Sequence, residues 1–123
     1  MTGYIVFAHG SSVESANEAV RSVAYKMAQA GGYAQVIAAF LEGGRPDLSS
    51  AVGELALRGV SHIVVIPYFL TLGLHLQRDL PRLAQEASRA HGDIEMRITA
   101  PLDGHPALVE ALLDRAAEAL DHA

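Results

Sequence analysis

Short apolar runs alternate with stretches of helical period four times along this chain, and a chain so patterned has few folds open to it. The apolar runs are GYIVFA (residues 3–8), YAQVIAAF (33–40), SHIVVIPYF (61–69) and IEMRITA (94–100), all of strand length. After the first run, Ala16, Val20, Val23, Met27 and Ala28 recur at helical spacing, and Gly31 and Gly32 stop the segment. A second helix is predicted over 45–59, with Pro46 in its first turn, Leu48, Val52 and Leu55 on one face, and Gly59 at its end. A third is predicted over 78–92 with Asp79 as its cap, and a fourth over 105–120 with Pro106 at its first position.

The order is βαβαβαβα, which implies a parallel sheet with right-handed crossovers and helices on both faces. Residues 61–69 are the most apolar run and are expected at the centre. In residues 94–100, Ile94, Met96 and Ile98 alternate with Glu95, Arg97 and Thr99, which suits a strand nearer an edge. A flavodoxin-like strand order of 2-1-3-4 is expected. A chain of 123 residues, half of them hydrophobic, makes one α/β domain over 1–123.

Several function classes drop out at this point. The chain has no cysteine, so disulfides, thiolate metal sites and cysteine nucleophiles are excluded. Its net charge is −5 with no run of lysine and arginine, which argues against a nucleic-acid partner. No stretch approaches the roughly 18 apolar residues of a membrane span, and MTGYIVFAHG lacks the basic and long apolar parts of a signal peptide. A cytoplasmic protein is expected.

In an open α/β sheet, ligands bind beyond the carboxyl ends of the strands, where the strand order reverses. For the order 2-1-3-4 this lies between the first and third strands. His9, in FAHGSS, directly follows the first strand. His75, in LGLHLQRD, is placed in the loop after the third. Neighbouring strands are about 4.8 Å apart, so the two imidazoles can converge on one ion. Glu42, in AFLEGG, follows the second strand and reaches in from the other side of the first. Gly10 lets the backbone turn and leaves room for a ligand. Ser11 and Ser12 lead into a helix whose free N–H groups favour anions, or else simply cap it. His62 stands at the amino end of its strand and is read as structural. His91 is read as a helix C-terminal residue, and His122 as solvated. His105 has two readings, ligand or N-cap before Pro106.

The segments FAHGSS, AFLEGGRPDL, PYFLTLGLHLQRDLP and APLDGHP, in this order and across most of the chain, resemble the successive motifs of the short, single-domain sirohydrochlorin cobaltochelatases, the CbiX type of class II chelatase. The resemblance implies a chelatase-like fold and insertion of a divalent metal ion, cobalt in the first place with nickel or iron as alternatives, into a tetrapyrrole. No organic cofactor is implied. His9 and His75 match the family's metal ligands, Glu42 its acidic residue and candidate base, and His105 the histidine of its last motif. Gly10, Ser11, Ser12, Arg45, Arg78 and His105 would meet the carboxylate-rich macrocycle. The sequence departs from the pattern at Ser12, where arginine is frequent, and at Asp103, which intervenes before the last histidine. A non-catalytic metal or tetrapyrrole carrier on the same fold is the alternative, and a phosphate-binding flavodoxin-like domain a weaker third. One four-stranded domain offers one wall for a broad, flat ring, so a homodimer with a shared cavity is expected.

Overall fold

In a computed structural model, which describes residues 1–121, the eight expected elements occur in the expected order. They are β1 (Thr2–Ala8), α1 (Glu14–Gly31), β2 (Val36–Phe40), α2 (Leu48–Leu57), β3 (His62–Pro67), α3 (Leu74–Ala90), β4 (Glu95–Ile98) and α4 (Pro106–Asp121). His122 lies outside the described residues. All pairings are parallel and the sheet order is β2-β1-β3-β4, with β4 at the edge as its alternating pattern indicated. No helix among the described residues is long and apolar enough to cross a membrane.

Strand alternation sorts the core into two layers. Ile5, Phe7, Ile63 and Val65 point to one face, where Leu48, Ala51, Val52 and Leu55 of α2 and Leu80 and Ala87 of α3 cover them. Val6, Ala8, Ala38 and Phe40 point to the other, beneath Ala24 of α1, with Val20 and Met27 at the margin. Each large side chain so buried contributes about 1.5–3 kcal/mol. On α1 the buried stripe is Asn17 and Ala24 with half-buried neighbours, whereas Ala16, expected on this face, is exposed. Gly32 ends the helix in the left-handed conformation, and Tyr33 then stacks on Tyr4 with ring centroids 4.3 Å apart, so β2 starts only at Val36.

Two helix starts differ from the expectation. Helix α3 begins at Leu74, so Asp79 is inside it rather than capping it, and Pro81 is in its interior. The reason is local. The Gly73 carbonyl accepts the Gln77 N–H at 3.0 Å, and Leu76, Leu80, Leu83, Ala84 and Ala87 form an apolar stripe that begins before Pro81. Pro81 itself is exposed, which leaves its ring on the solvent side. In α2, Pro46 precedes the cap instead of lying in the first turn, and the cap is Asp47, whose carboxylate accepts the Ser50 N–H at 2.8 Å. Helix α4 is the exception to the packing: its residues from Pro106 to Leu120 are exposed, Leu108 alone being half-buried, and it packs substantially on no other element.

The Ser50 hydrogen bond holds the Asp47 carboxyl below the ordinary carboxylate range, burial opposing it weakly. A carboxylate whose folded pKa is lowered stabilises the fold above its unfolded pKa, and that contribution is lost as pH falls through the folded value. Asp47→Ala is therefore expected to cost about 0.5–2 kcal/mol at neutral pH. In thermal melts taken from pH 7 downward, the gap between the two proteins should narrow below the usual carboxylate range.

Candidate metal centre

Strand β1 is hydrogen-bonded on both sides, and its pairing with β2 runs on past the strand ends. The Leu41 N–H donates to the Ala8 carbonyl at 2.9 Å and the Glu42 N–H to the His9 carbonyl at 3.0 Å. On the other side the Tyr68 N–H donates to the Phe7 carbonyl at 2.7 Å. His9 and Glu42 are thereby set side by side one step beyond the sheet, and His9 Nε2 lies 3.6 Å from Glu42 Oε1. Below that pair the two loops approach each other backbone to backbone. Gly10 has φ +91°, and a Cβ there would stand 1.7 Å from the Glu42 carbonyl oxygen. Gly43, at φ +71°, lies against the Ser11 backbone, and a Cβ there would stand 2.9 Å from the Ser11 carbonyl carbon. No residue with a side chain fits the first of these positions.

A buried amide holds this seam. The Asn17 side chain, 1% exposed, accepts the Ser11 N–H at 3.0 Å and donates to the Ser11 carbonyl at 2.8 Å and the Gly43 carbonyl at 3.0 Å. It thus ties the loops after β1 and β2 to α1. Sequence reading missed Asn17 because a polar residue in a helix passes for a solvated one. The available signal was its spacing with Val20, Ala24 and Met27. Beside it, Arg21 pairs with Glu14 and Glu18, donates to the Arg45 carbonyl at 2.8 Å and lies over the Phe40 ring, 5.2 Å from its centroid. The Arg21 hydrogen bond is the main reason the Glu14 carboxyl lies below its ordinary range.

The hydrogen-bond partners assign the imidazole tautomers. His9 Nδ1 is 3.2 Å from the Gly10 carbonyl. A carbonyl only accepts, so this contact places a proton on Nδ1, and in the neutral imidazole the Nε2 lone pair then faces the Glu42 carboxylate. Two electron-rich groups so placed are stabilised by a cation between them, either a proton or a metal ion. His75 is on the first turn of α3 rather than in the preceding loop. Its Nδ1 lies 3.0 Å from an Arg78 amino group, which only donates, so the lone pair is on Nδ1 and is occupied by Arg78. His9 and His75 line one open cleft of about 520 Å³, together with Leu41, Phe69, Leu74 and Leu83 and with Asp79 and Arg82. Among the described residues, no three histidine, aspartate and glutamate side chains are close enough together to enclose an ion. The arrangement is an open one: a histidine–carboxylate pair at one side and a second histidine on the helix turn after β3.

The remaining candidates are placed as follows. Ser11 Oγ accepts the Val13 N–H at 3.0 Å, while the N-cap of α1 is Val13 without any side-chain bond, so neither serine caps the helix. Ser12 is exposed beside the seam. Arg45 lines a separate shallow groove with Glu14, Arg21, Gly43 and Gly44. His105 Nδ1 accepts the Ala107 N–H at 3.0 Å at the start of α4, as the N-cap reading expected. His62 pairs with Glu95 at 2.8 Å at the amino end of the sheet, and His91 ends α3 with Nε2 3.3 Å from Ser49 Oγ.

Fold and cleft together define the class, a chelatase-like α/β domain with imidazole and carboxylate groups at the carboxyl ends of its strands. The chain belongs to the CbiX family, whose sequence model matches residues 3–119. It is similar in structure to a CbiX protein from Marinobacter aquaeolei VT8, with a TM-score of 0.81, 29% identity and full coverage of both chains. Among curated relatives it is 31% identical over 120 residues to a chloroplastic sirohydrochlorin ferrochelatase of Arabidopsis thaliana. That match covers 98% of this chain and 53% of the other, so the chain spans about half the length of that relative. It is 29% identical to a sirohydrochlorin cobaltochelatase of Methanopyrus kandleri, with 98% of each chain covered.

The seam generates two expectations. Asn17→Ala removes the partner of three backbone groups at once and should cost at least the about 1–3 kcal/mol of a buried unsatisfied polar group. Gly10→Ala should drive the loops apart, so that cobalt affinity falls by more than stability alone explains. Thermal melts paired with cobalt titration measure both. A Gly10→Ala protein with wild-type melting and affinity would show that the seam does not position His9 and Glu42.

Proposed function

We propose that this protein inserts a divalent metal ion into sirohydrochlorin. The observation that carries the reading is His9 Nε2 facing the Glu42 carboxylate across 3.6 Å at the carboxyl end of β1, in a chain of the CbiX family. The ion is a substrate and must be given up, which suits a few exposed ligands better than a closed four-ligand cage. His9 and His75 are its ligands in this proposal. Cobalt is the first metal to test, with nickel and iron next, since imidazole suits all three.

Insertion exchanges two pyrrole protons for the ion. Glu42 is 70% exposed at its side chain and beside His9, so it is placed to take up one such proton and pass it to solvent. The exposed side chains of Leu41, Leu70 and Leu74 give the region around the cleft an apolar surface suited to a flat macrocycle. Arg78 has a double role. While bonded to His75 it keeps the Nδ1 lone pair occupied, and a substrate carboxylate that draws Arg78 away frees that nitrogen for the ion. Ser12 is a second carboxylate contact. A cytoplasmic homodimer, with the strand carboxyl ends of both copies turned to one cavity, completes the proposal.

The decisive experiment follows sirohydrochlorin absorbance with cobalt, nickel and iron in turn. Metal-dependent conversion by the wild type is expected, and binding without turnover would favour a carrier. His9→Ala and His75→Ala should each weaken cobalt binding, and unchanged affinity in both would overturn the ligand assignment. Glu42→Gln should slow insertion by about 10²–10⁴-fold, the usual contribution of a general base, with melting unchanged. His62→Ala should insert metal at the wild-type rate, because its pair with Glu95 lies at the opposite end of the sheet.

A further inference from the structure

Asp79 is a carboxylate in the cleft without an evident structural task. It is the sixth residue of α3 and lines the same opening as His9 and His75. It caps nothing, because the helix starts from Gly73 with no side-chain bond. The helix dipole favours acidic groups within the first turn and falls off beyond it, and Asp79 stands past that turn. Its nearest cation is Arg82, whose Nη2 is 3.9 Å from Asp79 Oδ1, outside hydrogen-bond reach. Arg82 Nη1 instead donates to Glu86 Oε1 at 3.0 Å. No other ion pair of Asp79 occurs among the described residues.

The place of Asp79 relative to His75 is specific. Residues four apart on a helix share a face, with their Cβ atoms about 5–6 Å apart. His75 and Asp79 are so spaced, and both line the cleft. Leu76, Leu80 and Leu83 pack against the core and so set the rotation of the helix about its axis. An imidazole with a second donor one turn further on forms a small helical chelate for a transition-metal ion, the arrangement that two histidines at this spacing supply on a zinc-binding helix. The arginines of α3 repeat the same spacing. Arg78 lies on His75 and Arg82 towards Asp79, each three residues beyond the donor it faces. A substrate carboxylate that draws these guanidinium groups away leaves the two donors to one ion.

We infer that Asp79 is a further ligand of the incoming divalent ion, chelating it together with His75 from one face of α3. The inference rests on the reading of His75 as a ligand and adds the donor that the helix presents beside it. The cleft then has an imidazole–carboxylate pair on each wall, His9 with Glu42 on the strand loops and His75 with Asp79 on the helix. An ion taken by two donors keeps most of its coordination positions open, as an ion that must be passed on requires.

Cobalt alone, titrated into the full chain and followed by its visible absorption, tests the ligand role. Asp79→Asn keeps the size of the side chain and should weaken binding by at least about tenfold with melting unchanged, since even the loss of a group behind a ligand costs about 10–100-fold in affinity. Asp79→His puts an imidazole at the same place on the helix. It should bring the affinity back to the wild-type value or above, with the cobalt bands shifted because nitrogen replaces oxygen. A carboxylate that acted only through its charge or through the stability of α3 is not replaced by a neutral imidazole. Binding as weak in Asp79→His as in Asp79→Asn would therefore overturn the inference, and so would wild-type affinity in Asp79→Asn. In a His75→Ala background the effect of Asp79→Asn should shrink, and an undiminished effect would show two separate sites rather than a chelate. Unchanged affinity in His75→Ala would remove the ligand assignment on which the inference rests. A loss in His75→Ala with none in Asp79→Asn would remove the inference alone.

Discussion

The functional end of this molecule depends on one close approach, that of the backbone after β1 to the backbone after β2. Gly10 stands against the Glu42 carbonyl with no room for a side chain, and Gly43 stands against Ser11. Because the two loops meet as bare backbone, the pairing of β1 with β2 continues to His9 and Glu42, and those two side chains emerge together. Asn17 then satisfies the backbone groups that the approach would otherwise bury unpaired. The spacing of the His9–Glu42 pair is thus set by hydrogen bonding and excluded volume.

The molecule carries a second histidine–carboxylate pair, and the contrast clarifies the first. At the amino end of β3, His62 Nε2 is 2.8 Å from Glu95 and its Nδ1 is 2.9 Å from Ser61 Oγ. Both ring nitrogens are engaged, and the pair is closed. At the carboxyl end of β1, His9 uses Nδ1 on its neighbouring carbonyl and leaves Nε2 uncommitted, 3.6 Å from the acid. The same two residue types form a closed strand-to-strand clasp in one place and an open, exposed pair at the cleft in the other. Position in the sheet distinguishes them, since only the carboxyl ends converge on the reversal of strand order.

Much of this was legible in the sequence. Strand and helix periods are set by backbone geometry, so four alternations of period fixed the element order, and right-handed crossovers then left few sheet orders to choose from. His9 and Glu42 could be placed together because strand ends are adjacent in a parallel sheet. Three features were not legible, each for a physical reason. The start of α3 was misjudged because Pro81 resembles a first-turn residue, while the Leu76–Leu80 stripe that extends the helix backwards gains its stability only from packing on α2 and the sheet. Asn17 passed for a surface residue because its partners are backbone groups, which are the same in every sequence. Periodicity displayed the apolar stripe of α4 but carried no information on what lies against it.

The position of Pro81 divides α3 into unequal parts. Proline has no N–H to give the Gln77 carbonyl, and its ring crowds that carbonyl, so the helical ladder lacks a rung one turn after its start. Beyond that gap, Ala84 and Ala87 are seated in the core; before it, Leu74, His75 and Arg78 are exposed. The leading turn is therefore held to the core through Leu76 and Leu80. His75 thus stands on a turn that two leucines hold to the core, opposite a His9–Glu42 pair whose backbone is pinned by the continued pairing of β1 with β2.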